Sequence, residues 1–175
     1  ATSLLSYEEA GTVTNLTDQN ISITNDDGTG ITVDNANLLN TTTTGVVTAT
    51  ILTTETLTEL LTLGAQSEGA TDNAYTITIR AADATAATAA NLNTLNGLTS
   101  VAVNATNVTG IASSSISDIN TALDAGAAGT ISGLGTGLTA ITVADHGAGS
   151  NIDLEDIKNA VTTADGINGG TTTAL

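Results

Sequence analysis

The sequence predicts an α/β repeat fold, in which strand–helix tandem units form an elongated, β-solenoid-like array. A nine-residue phrase occurs three times, as LNTTTTGVV (39–47), LNGLTSVAV (95–103) and INGGTTTAL (167–175). The first two copies are followed by the same order of strand and helix patterns, which is typical of stacked repeats. The chain has no Phe, Trp, Met, Cys or Pro, so small aliphatic and threonine side chains must fill its interior in thin layers. The alternative is an all-β repeat module in which the helical patterns are loops.

The strand predictions rest on alternation of residue types. After each opening phrase, apolar residues alternate with Thr or Asn, which is the period-2 pattern of a half-buried strand. The two copies align so that Val47 and Ala49 correspond to Val103 and Ala105. A second strand is predicted in each unit, at 75–83 and at 139–145.

Each unit also contains two segments with the residue spacing of a helix. The first segments, 54–64 and 115–126, place three large aliphatic residues on one face: Leu57, Leu60 and Leu61, and Ile116, Ile119 and Leu123. Ser115 with Asp118 resembles a capping box at the helix start, and Gly126 predicts the helix end. The second segments lie at 84–97 and 151–166 and lead back to the opening phrase.

The N-terminal region differs from these units and predicts a β-hairpin around the turn NDDGTG (25–30). Its inward-facing residues would be Ile21, Ile23, Ile31 and Val33. A repeat cannot bury its apolar face alone, so a neighbouring repeat or molecule must cover the last strand. The predicted divisions are 1–34 as hairpin region or cap, 35–94 and 95–166 as two repeats, and 167–175 as the start of a further repeat or an exchanged strand.

The charge balance narrows the range of partners. The chain carries 18 acidic and 2 basic residues, with a net charge of -16. Nucleic acids and anionic lipids attract Lys and Arg clusters, so binding to nucleic acid is not expected. No run reaches the ~20 apolar residues of a membrane span, so membrane insertion is not expected either. The absence of cysteine excludes disulfides, zinc–thiolate sites and thiol nucleophiles.

Two acidic segments are candidate calcium sites, because hard cations bind six or more carboxylate and carbonyl oxygens. The first group is Asp26, Asp27 and Asp34, and the second group is Asp153, Glu155 and Asp156. Neither matches the EF-hand spacing. A plain turn also explains the first group, and a helix dipole that favours acidic residues near its start also explains the second. The chain requires no other cofactor.

Catalysis is not predicted. The only histidine, His146, lies in one short segment with Asp145 and Ser150. One such segment would not place a base against a nucleophile. An enzyme such as a polysaccharide lyase would need Arg80 and Lys158 in one cleft with several carboxylates.

Asparagine recurs at one position of the phrase, at Asn40, Asn96 and Asn168. These side chains could stack as a hydrogen-bonded ladder that holds register, or occupy the left-handed conformation at a helix end. The chain also carries five N-x-S/T sequons, at Asn15, Asn20, Asn40, Asn104 and Asn107. They would be glycosylated only in an exporting host with the required enzymes.

The phrases GVVTATI, NAYTITI, NLNTLNGLTSVAVNAT and DINTALDAG resemble very large tandem-repeat, Thr/Ala/Asn-rich cell-surface proteins of marine cyanobacteria, over residues 31–175. The resemblance implies an extracellular or cell-surface protein of the surface-layer, adhesion or swimming-associated type. We therefore expect a non-enzymatic building block of a fibre, surface layer or giant surface protein, whose partner is itself or neighbouring repeats. The alternative is an adhesin or carbohydrate-binding module, although sugar stacking would depend on Tyr7 and Tyr75 alone.

Overall fold

A computed structural model describes residues 16–24, 28–65, 72–135 and 137–144. These residues form four α-helices and seven short strands, without a closed barrel. The structure is a mixture of helix and strand, and no solenoid or repeat is detected among the described residues, so the predicted repeat array stays a prediction. The chain forms two compact units, which are described separately: unit 1 runs to residue 78 and includes 97–101, and unit 2 holds 79–96 and the residues from 102.

The sheet of unit 1 is parallel and has the order β1 (Ile21–Ser22), β2 (Val47–Thr50), β3 (Ala74–Thr76). Ile21 pairs with Val47, and Thr48 pairs with Ala74. Along β2 the residues alternate between buried and exposed, which confirms the predicted period of two. The inward side is apolar, so the core of unit 1 lies on that face.

The predicted N-terminal hairpin is wrong within the described residues. Strand β1 pairs with β2, and Ile31 forms an isolated parallel bridge with Ile51. Val33 belongs to a helix, because the hydroxyl oxygen of Thr32 accepts a hydrogen bond from the Asn35 N–H and caps the helix start. The inward prediction holds for Ile21, Ile31 and Val33, which are buried, whereas Ile23 is half-buried.

Two helices accompany this sheet. Helix α1 (Val33–Thr42) buries Val33, Ala36 and Leu39. Helix α2 (Leu57–Leu60) is a single turn with a capping box between Thr56 and Glu59. It is shorter than the predicted 54–64, because Thr62 and Leu63 donate to carbonyls three residues back and tighten the end.

Unit 2 contains two parallel strand pairs. Strand β4 (Val103–Asn104) pairs with β6 (Ile131–Ser132), and β5 (Gly110–Ser114) pairs with β7 (Ala140–Val143). The second pair shifts register between Ile111 and Ser114. Helices α3 (Ala89–Asn96) and α4 (Ile116–Ala128) pack against each other. The large residues that they bury are Leu92, Leu95, Ile116, Ile119 and Leu123.

Helix α4 begins where the sequence predicts and ends later. Ser115 caps it, accepting from the Asp118 N–H at 3.1 Å and donating to the Asp118 carboxylate at 2.7 Å. The predicted end at Gly126 is wrong, because alanines 127 and 128 favour continuation of the helix. The chain leaves the helix at Gly129, whose φ of 79° lies in the left-handed region.

The other predicted elements are present in shortened form. The predicted strand 75–83 ends at Thr76, and the chain forms a 3-10 turn at Ala81–Asp83 that the Arg80–Asp83 ion pair (2.9 Å) fastens. The predicted helix 84–97 is α3, and the predicted strand 139–145 is β7. The predicted helix 151–166 and the phrase 167–175 lie outside the described residues. In the described part of the chain, no helix has the length and apolar character that a membrane crossing requires.

Candidate functional site

The first copy of the phrase fastens the chain to a segment far back in the sequence. Thr43 is buried, and its hydroxyl donates to the Gln19 carbonyl at 2.6 Å, 24 residues earlier. The same oxygen accepts from the Gly45 N–H at 2.9 Å. The next residue, Thr44, donates its N–H to the Thr17 carbonyl at 2.6 Å. One threonine pair therefore anchors the connection from α1 to β2.

The second copy makes the same hydrogen bonds. The buried Thr99 hydroxyl donates to the Tyr75 carbonyl at 2.8 Å, also 24 residues earlier, and accepts from the Val101 N–H at 3.1 Å. Ser100 donates its N–H to the Asn73 carbonyl at 2.9 Å. We call Thr43 and Thr99 the hydroxyl staples. A buried hydroxyl that both donates and accepts satisfies its polar groups while it fixes register.

Two helix asparagines also recur in role. Asn37 on α1 donates to the Thr62 carbonyl at 2.9 Å, and Asn93 on α3 donates to the Asp118 carbonyl at 3.0 Å. Each bond reaches 25 residues forward. Asn37 also accepts from the Gly64 N–H at 2.7 Å. The asparagine side chains therefore join each helix to a segment that follows it in sequence. The hydroxyl staples join the residues after each helix to a segment that precedes it.

Asn73 is a buried hub in unit 1. Its Oδ1 accepts from the Val47 N–H at 2.9 Å, and its Nδ2 donates to Asn40 Oδ1 at 2.7 Å. Asn40 in turn donates to the Ala65 carbonyl at 3.3 Å. The sequence analysis did not single out Asn73. The one signal in the sequence is a polar residue placed immediately before a strand.

The described residues do not form the predicted hydrogen-bonded ladder through Asn40, Asn96 and Asn168. Asn40 bonds to Asn73. Asn96 makes no side-chain hydrogen bond in the part of the chain that the structure describes, and Asn168 lies outside it. The proposed role at a helix end fails for Asn40, which is inside α1, because that helix continues to Thr42.

Asp34 is the only candidate calcium ligand among the described residues. It is exposed in the first turn of α1, and its charge acts on the carboxyl of Glu55. Burial and the charges of Glu59 and Asp34 raise the pKa of Glu55, while its hydrogen bond with the Val33 backbone opposes the rise. The described residues contain no group of three His, Cys, Asp or Glu that could hold a metal. The other five candidates lie outside the described residues: Asp26, Asp27, Asp153, Glu155 and Asp156.

Residues considered for other chemistry are mostly outside the described ranges, including Tyr7, His146, Ser150 and Lys158. Arg80 is half-buried and paired with Asp83. Tyr75 is completely buried, which raises its pKa to about 12, and it presents no ring face to a sugar.

Strands β1 and β7 each have one partner strand among the described residues. The N–H groups of Ile21 and Ile23 donate to the Val46 and Thr48 carbonyls. Because successive residues of a strand direct their backbone groups to opposite edges, the N–H and C=O of Ser22 face away from β2. In β7, Val143 is 38% exposed. Strand β1 therefore has backbone groups directed to an edge without a described partner.

Comparison with protein-family models, with curated proteins and with solved structures finds no match to the chain. The resemblance to cyanobacterial surface proteins therefore stays a prediction. The geometry on which a functional proposal can rest consists of the hydroxyl staples, the asparagine bonds and the parallel strand edges.

Proposed function

We propose that the chain is a non-enzymatic structural building block of an extracellular fibre, surface layer or giant surface protein. It assembles by repeat stacking or by strand addition to a second copy. The observation that carries this proposal is the pair of hydroxyl staples, Thr43 and Thr99, which make the same bonds 56 positions apart.

The long-range bonds support a stacked architecture. All strand pairs of the described residues are parallel. Most side-chain bonds between segments join residues 24 to 30 positions apart, as at Thr43 and at Thr139, and the Asn73–Asn40 bond spans 33. Segments joined at similar distances in sequence would bury their apolar faces by stacking. Such a chain would gain contact area by adding units.

The edge of β1 supports strand addition. Strand edges with unpaired backbone groups accept a further strand through main-chain hydrogen bonds. The N–H and C=O of Ser22 point to that edge, while the N–H groups of its neighbours Ile21 and Ile23 donate hydrogen bonds to the β2 side. The net charge of -16 opposes random association, so assembly would depend on specific backbone pairing and on dissolved cations.

Electron microscopy of the purified full chain, with and without a calcium chelator, tests this function. The expected result is fibres or sheets with a regular step. Loss of order on chelation would assign calcium to the assembly. Isolated particles under every salt condition would contradict the proposal.

A variant pair separates strand addition from folding. Ser22→Pro removes the N–H that faces the open edge and leaves both hydrogen bonds from Ile21 and Ile23 to β2 in place. Ser22→Thr keeps the N–H and serves as the matched control. We expect the proline variant to lose assembly with an unchanged circular dichroism spectrum. Assembly equal to that of the threonine variant would show that β1 does not form the joint.

A further inference from the structure

Four of the five N-x-S/T sequons lie among the described residues, and the structure divides them into two pairs. In the first pair, the amide nitrogen is already in use. Asn40 Nδ2 donates to the Ala65 carbonyl at 3.3 Å, and Asn107 Nδ2 donates to the Ile79 carbonyl at 2.9 Å. Asn40 is also held through its oxygen by Asn73. Each bond holds the nitrogen against a carbonyl of a distant segment, so a transferase must open that bond to reach the nitrogen freely.

In the second pair, the amide oxygen is anchored and the nitrogen is not. Asn20 is exposed, and its Oδ1 accepts from the Val46 N–H at 2.9 Å. Asn104 is half-exposed, and its Oδ1 accepts from the Thr106 N–H at 3.0 Å, two residues on, which is an Asx turn. Neither Nδ2 makes a hydrogen bond within the described ranges. The bond to the oxygen therefore holds the amide while its nitrogen donates to no described carbonyl.

We propose that Asn20 and Asn104 are the positions at which the folded chain accepts an N-linked sugar, and that Asn40 and Asn107 are protected. The donor is a nucleoside-diphosphate sugar. The amide Nδ2 forms a bond to the anomeric carbon, the bond from that carbon to the diphosphate oxygen breaks, and the nucleoside diphosphate leaves. A base of the transferase takes the amide proton. This inference is independent of the proposed assembly.

The test compares the native chain with peptides. The full chain is incubated with UDP-glucose and a soluble N-glycosyltransferase that recognises N-x-S/T, and fragmentation mass spectrometry follows each site over time. Synthetic peptides containing each sequon give the intrinsic rates. A hydrogen bond that must open lowers the fraction of free amide roughly fivefold to tenfold. We expect the ratio of native to peptide rate to be about tenfold higher at Asn20 and Asn104 than at Asn40 and Asn107.

Matched variants check the site assignment. Ser22→Ala and Thr106→Ala remove the two sequons without changing the asparagines, so each should abolish modification at its own site alone. Thr106→Ser keeps the sequon and should retain modification at Asn104. Equal ratios at all four sites would overturn the proposal. Failure of Asn20 and Asn104 to react in the native chain, while their peptides react, would overturn it as well.

Discussion

The segments 32–49 and 88–105 make the same hydrogen bond at three pairs of matched positions and differ at others. The shared positions are the capping threonines Thr32 and Thr88, the bridging asparagines Asn37 and Asn93, and the staples Thr43 and Thr99. Two of the differences lie at Asn40, which bonds to Asn73 while its counterpart Asn96 does not, and at Gly45, whose counterpart is Val101. The recurring framework therefore consists of side-chain bonds to the backbone, and the asparagine of the phrase does not belong to it.

The difference at asparagine has a structural cause. In the first segment, the Val47 N–H bonds to the side chain of Asn73, which also holds Asn40. In the second segment, the matching Val103 N–H bonds to the Thr130 backbone carbonyl at 2.9 Å. The valine N–H therefore donates to a side-chain oxygen in the first segment and to a main-chain oxygen in the second. Asn96 therefore lacks the partner that orders Asn40.

The substitution Asn73→Ala should have the largest effect. It leaves the buried Val47 N–H and the part-buried Asn40 Oδ1 without their partners. Each unsatisfied buried group costs about 1–3 kcal/mol, so we expect the free energy of unfolding to fall by about 3–4 kcal/mol. Urea denaturation measures this free energy of unfolding. Asn96→Ala is the control and should change stability by less than about 0.5 kcal/mol. Equal losses would show that the two segments use asparagine alike.

The staple substitutions Thr43→Val and Thr99→Val should cost about 2 kcal/mol each, because valine keeps the shape and removes the hydroxyl. The losses should be similar and should add in the double variant, since the staples share no partner. Thr43→Ser and Thr99→Ser retain the hydroxyl and should recover most of the stability. Thermal melts of the set provide the measurement. A loss at one staple only would end the equivalence of the two segments.

The difference between Gly45 and Val101 gives a third test. A Cβ at Gly45 would collide with the backbone oxygen and carbon of Gln19, which cannot move without shifting the strand connection. Gly45→Ala should therefore cost about 1–2 kcal/mol through overpacking. Val101 is 36% exposed, and Val101→Ala should be nearly neutral in the same denaturation assay. A neutral Gly45→Ala would show that this close approach is not rigid.

The sequence predicted features that depend on near neighbours. Alternation in β2 and the cap at Ser115 follow from residue spacing and local hydrogen-bond chemistry. The sequence did not predict the partner of β1, because the same apolar pattern suits a hairpin and a parallel pair. The pairing depends on β2, which is distant in the sequence. The sequence also did not predict the role of Asn73, which arises from three segments that meet at one point. For calcium, only Asp34 could be placed.

Tyr75 is part of the second hydroxyl staple, because its backbone carbonyl accepts the hydrogen bond from Thr99. The phenol is buried, and its hydroxyl has no hydrogen bond within the described residues. Its pKa is about 12 in the folded state against 10.0 normally, so the unfolded state loses the proton first. Stability should fall as pH rises from about 10 to 12. Tyr75→Phe keeps the staple, should change stability at pH 7 by less than about 1 kcal/mol, and should remove this alkaline decline in pH-dependent melts.

We expect the smallest change in stability from substitution of Glu55. This residue interacts with acidic residues near the start of the first segment, and these have no counterpart in the second. Burial, Glu59 and Asp34 raise its pKa above 4.5, so the folded state binds the proton more tightly than the unfolded state. The stability from this proton is present below pH 4.5 and is lost as pH rises through the folded pKa. Glu55→Gln mimics the protonated form and should stabilise the chain at pH 7 by less than about 0.5 kcal/mol, with the gain vanishing in acid. Destabilisation at pH 7 would instead mean that the carboxylate bond to the Val33 backbone outweighs burial and repulsion.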